Sequence, residues 1–96
     1  MSYPAALNLY GDLCRDRPNL IKKINQSIDN HVVNLSSVRS DQAGARILPS
    51  HPDFAAFCDE MAAQVFGIVM REHLIGQNWT KTLVTENGKK VNYYNR

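Results

Sequence analysis

Residues 18–44 read PNLIKKINQSIDNHVVNLSSVRSDQAG, and the length of their helical pattern decides the architecture. Pro18 suits a first helical turn, because its φ is already helical and its missing N–H is not needed there. Behind it Ile21, Ile24, Ile28, Val32, Leu35 and Val38 recur at spacings of three and four, the seam of a helix packed along its length. The pattern thins past Ser36, Ser37 and Ser40, and Gly44 offers a stop. This second helix therefore ends somewhere between Leu35 and Gly44. Carried to Gly44, it would be a rod about 40 Å long.

Toward the N-terminus, Leu7, Tyr10, Leu13 and Cys14 fall at helical spacing over Tyr3 to Asp16, with Ser2 as a cap and Pro4 in the first turn. Toward the C-terminus, Pro49 and Pro52 force a turn, and Ser50 with Asp53 matches a capping box opening a third helix. That helix, His51 to Ile75, carries Phe54, Phe57, Cys58, Met61, Val65, Ile68 and Val69 on one side. Phe66, Met70 and Leu74 point elsewhere, leaving only a narrow polar strip of Glu60, Gln64 and Arg71. Gly76 is the expected left-handed C-cap. Beyond Trp79, Asn87-Gly88 is a strong hairpin signal, pairing Val84 with Val91 and Thr82 with Tyr93.

The expected fold is mainly α: one domain over residues 1–96, with three helices and a C-terminal β-hairpin over about 81–94. Helices two and three form a long antiparallel αα-hairpin. Two such rods do not fit a compact chain of this length, whose radius of gyration is about 13 Å, and part of helix three would lack cover. Either helix two breaks near residues 34–37, or two protomers share a four-helix core. The homodimer is the expectation, with Ile21, Ile24, Ile28, Val32, Leu35, Phe54, Met61, Val65, Phe66 and Ile68 on its core seam.

Composition narrows the function classes. Eleven Lys and Arg against nine Asp and Glu give a net charge of +2, too small for a polycation. The charge is uneven, with two basic ends around an acidic middle. Cys14 and Cys58 sit among apolar residues, which suits buried, reduced thiols better than a disulfide, and with them a cytoplasmic location. No secretory signal or membrane span is legible.

Catalysis finds no local motif. His31, His51 and His73 lack metal-ligand spacing, Ser36, Ser37 and Ser50 lack a nucleophile context, and no phosphate-cradling glycine loop exists. The chain is therefore read as a non-enzymatic binding or regulatory protein, without cofactor, acting on a protein partner as an adaptor or inhibitor. The alternative is a small DNA-binding regulator. It would use Asn19, Lys22, Lys23 and Gln26 on one face of helix two, and the hairpin residues Lys81, Lys89, Lys90, Tyr93 and Tyr94. Those residue types also make an ordinary solvated face and a guarded strand edge.

Overall fold

A computed structural model describes residues 3–96. The cap read at Ser2 lies outside the described residues. The elements are α1 (Tyr3–Asp16), α2 (Pro18–Val32), β1 (Ser37–Arg39), α3 (Ser40–Ile47), α4 (Pro52–Cys58), α5 (Ala62–Gly76), β2 (Thr80–Glu86) and β3 (Lys89–Asn95). Short 3-10 turns at Leu48–Ser50 and Asp59–Met61 flank α4. The chain is mainly helical, with a small antiparallel sheet at its C-terminal end.

The long αα-hairpin does not form, because both of its rods are broken. α2 keeps the expected seam at Ile24, Ile28 and Val32, all buried, but its first buried position is Leu20 rather than the expected Ile21, which is half-buried beside it. It stops at Val32. Leu35, placed on the seam by its spacing, is 38% exposed, and Val38 leaves the helical register to pair with Tyr94 in the sheet. Two things favour the break. Asn34, Ser36 and Ser37 are poor helix formers beside the β-branched Val32 and Val33. In addition, Arg96 satisfies the end of α2: its guanidinium donates to the Val32 carbonyl at 2.6 Å, and its backbone N–H donates to the Ser36 carbonyl at 3.0 Å.

The expected third helix is interrupted at Asp59, whose φ of 54° belongs to the left-handed side of the backbone map. Its start also differs. Pro52 takes the first helical position, so His51 becomes the N-cap, and the Ser50–Asp53 capping box is not made. At the far end Asn78 rather than Gly76 adopts positive φ, 70°, while the Trp79 N–H returns to the Leu74 carbonyl at 3.0 Å. Trp79 is buried at this hinge.

α5 is the hub. α1, α2, α3 and α4 pack against it, and Val65, Phe66, Ile68, Val69, Met70 and Leu74 are all buried within one chain. Phe66 finds its place because α3 approaches closely at Gly44, where a Cβ would stand 3.2 Å from the ring. Phe54 is buried with this core and Met61 packs at its margin. The uncovered surface that motivated a shared helical core is thus covered internally. The molecule measures 32 × 29 × 23 Å, shorter in every direction than a helix running from Pro18 to Gly44.

The sheet order is β1-β3-β2, all antiparallel. The hairpin has the expected register, Val84 opposite Val91 and Thr82 opposite Tyr93. β1 is the addition. Tyr94, from the middle strand, is buried against the helices and draws the sheet onto α3 and α5. Among the described residues no helix is long and apolar enough to cross a membrane.

Candidate functional site

Side chains alternate between faces along a strand, so period two divides the hairpin residues into two groups. Lys81, Lys90 and Tyr94 share the inner face with the buried Val38. Lys89 and Tyr93 share the outer face with Glu86 and Arg39. On the outer face Arg39 donates to Glu86 at 2.8 Å and the Tyr93 hydroxyl donates to Glu86 at 2.7 Å. This bridge from β1 across β3 to β2 lies on the face of the buried Val91. It braces the sheet.

The inner face borders a groove of about 370 Å³ between the hairpin, α5, the start of α3 and Tyr3 of α1. Phe66, Ile68, Gly44 and Gly67 contribute an apolar floor. A Cβ added at Gly67 would meet nothing within 4 Å, so the helix leaves open space there. Arg71, Lys81 and Lys90 line the walls, with Gln64, Asn92 and Ser40 as neutral polar groups.

The charges at the groove are asymmetric. Asp41, its one acidic wall residue, is engaged by Arg39 through bonds of 2.6 and 3.0 Å, which hold its carboxyl below the usual range. Arg71 donates to the Tyr3 hydroxyl and its guanidinium lies 5.9 Å from the centre of that ring. Lys81 and Lys90 make no ion pair among the described residues. Tyr94 is 1% exposed, and burial pushes its hydroxyl up to about 12 against the opposing pull of Arg71. The groove is therefore lined by two ammonium groups outside any ion pair among the described residues and by a braced guanidinium, over an apolar floor.

The other basic surface is separate. Asn19, Lys22, Lys23 and Gln26 are all exposed on α2, and none lines the groove. Two polar pairs escaped the linear reading because their members come from distant elements. The Ser27 hydroxyl and His51 Nε2 are 2.8 Å apart, and burial, then the charge of Lys23, keeps the His51 pKa below its ordinary value. His73 Nε2 lies 2.7 Å from Asp29 across α5 and α2. Among the described residues no three His, Cys, Asp or Glu side chains gather as a metal site. The groove did leave a trace in the sequence: Glu60, Gln64, Gly67 and Arg71 repeat at four, three and four, so the polar strip of helix three runs through a glycine.

Comparison with protein-family models, curated proteins and solved structures returned no match.

Proposed function

We propose that this chain is a binding protein whose groove between α5 and the hairpin receives an acidic segment of a larger protein, in the manner of an adaptor or inhibitor. The observation carrying this reading is the convergence of Arg71, Lys81 and Lys90 on an apolar floor, with Asp41 already neutralised by Arg39. An extended acidic segment with one apolar side chain would match that layout, the carboxylates meeting the cations and the side chain filling the space over Gly67.

The titratable groups favour recognition over proton transfer. Asp41 is pushed down, Arg71 is pushed up, and Tyr94 is raised to about 12, all away from neutrality. A protein partner is favoured over nucleic acid because the cations are few and the α2 lysines do not extend the groove. Tracking a phosphate backbone takes a longer basic surface, about six to ten contacts for a typical DNA-binding protein.

A Lys81→Glu, Lys90→Glu double variant tests the proposal, since both side chains are exposed. Tagged wild-type protein and the variant are compared in pull-downs after nuclease treatment and across a salt series. Proteins held by the wild type and lost with the folded variant support the groove. Partners retained equally by both refute it, and partners lost only on nuclease treatment establish the nucleic-acid alternative instead.

A further inference from the structure

The hairpin loop is closed by Asn87 and Gly88, both at positive φ, 53° and 78°. In a two-residue loop of this kind the closing pair, here Glu86 and Lys89, exchanges both backbone hydrogen bonds, and bonding then alternates along the ladder. Val84, Thr82 and Thr80 thus bond inward to β3. The N–H and C=O groups of Lys81, Leu83 and Thr85 point the other way, to an edge that no strand covers among the described residues.

This edge is unusual for a small protein. β2 runs seven residues without proline, glycine or a bulge in its pairing, and Leu83 at its centre is 57% exposed. Open edges of this length with an exposed apolar residue are normally shortened, broken or covered. The other edge strand, β1, has only three residues.

We propose that two copies of this chain pair antiparallel through β2, about a two-fold axis at Leu83, to form one continuous six-stranded sheet. The strand is complementary to itself in that register. Leu83 meets the partner's Leu83, Lys81 meets the partner's Thr85, Thr82 meets the partner's Val84, and Thr80 meets the partner's Glu86. No like charges stand opposite one another, and Thr–Val and Leu–Leu pairs suit a ladder. The three outward-facing residues of each copy align with those of the other, giving about six new backbone hydrogen bonds. Strand pairing leaves side chains on their own faces, so both grooves open on the same side of the joined sheet. This association shares only Lys81 with the groove, through that residue's backbone, and its test at Leu83, which does not line the groove, stands or falls separately from the proposed function.

Sedimentation across a concentration series tests the pairing. The wild type is expected to pass reversibly from monomer to dimer, while Leu83→Lys, which places two ammonium groups together at the axis, stays monomeric over the same range. Leu83 is exposed enough for the variant to keep its fold, which circular dichroism checks. Hydrogen exchange supplies a second readout: the amides of Lys81, Leu83 and Thr85 gain protection as concentration rises. In a Cys14→Ser background, Leu83→Cys is expected to form an interchain disulfide on mild oxidation, because directly opposed Cα atoms lie about 5.5 Å apart. A wild type that stays monomeric overturns the proposal. So does a dimer that survives Leu83→Lys with those three amides unprotected.

Discussion

Gly67 lies in the middle of α5, where alanine is about 1 kcal/mol more favourable. The backbone there is helical, and a Cβ would meet nothing within 4 Å, so Gly67→Ala gains the helix term without a steric cost. For a domain of this size, about 1 kcal/mol raises the melting temperature by roughly 4–8 °C. Gly44→Ala is the internal control, since its Cβ would lie 3.2 Å from the Phe66 ring and the same helix gain is offset by crowding. Thermal unfolding followed at 222 nm should rank Gly67→Ala above Gly44→Ala. A third variant, Gly67→Leu, keeps a strong helix former but sends its side chain into the groove. It should remain at least as stable as the wild type and lose the partner captured in the pull-down. A lower melting temperature for Gly67→Ala refutes the packing argument, and full partner binding by Gly67→Leu refutes the groove.

Three further outcomes follow from the same structure. Asp59→Gly should raise the midpoint of urea unfolding, because glycine relieves a positive-φ cost of about 1–3 kcal/mol that exceeds its own entropic penalty; an unchanged or lower midpoint would show the position to be unstrained. Cys14 is exposed, contrary to the burial expected from its apolar neighbours, and with a thiol-reactive dye at mildly alkaline pH it should react at once. Buried Cys58, raised to about 11, should react only on unfolding, and two equally fast thiols would contradict that burial. His51 has a folded-state pKa below the ordinary 6.5, so the unfolded chain takes up its proton first on acidification. Stability should therefore be full above that value and fall as pH drops from it toward the folded pKa, a slope measured by urea unfolding and absent from His51→Gln.

The elements legible in the sequence are those set by short-range rules. α1 and the start of α2 follow from proline placement and helical spacing, and the hairpin follows from Asn87-Gly88, which fixes the pairing of Val84 with Val91. The break after Val32 was legible only as one of two alternatives, near residues 34–37, and the one at Asp59 not at all, because what completes each lies far away in the chain. Val38 continues the helical spacing of α2, and only the offer of Tyr94 as a ladder partner draws it into a strand. Asp59 carries no turn signature, yet it turns the chain so that α4 and α5 pack separately on the core. At the site, Lys81, Lys90 and Tyr94 were identifiable by residue type, whereas their separation from Lys89 and Tyr93 follows from strand register. Arg71 joins them only through tertiary packing, as do the Ser27–His51 and Asp29–His73 pairs.

The central strand of the sheet follows its two flanking partners in chain order, and this bears on how the protein is made. Val38 and Tyr94 are roughly 55 residues apart, so at about 5–20 residues per second the ribosome delivers the second on the order of 3–10 s after the first. The helices can collapse during that interval, but β1 waits unpaired and the sheet-facing side of α3 and α5 stays wet. The nascent chain thus passes through a stage in which an apolar surface and an open strand are displayed together, a form that chaperones are suited to hold. Emergence of β3 ends that stage in one step, bringing Tyr94 into the core and Arg96 onto the end of α2.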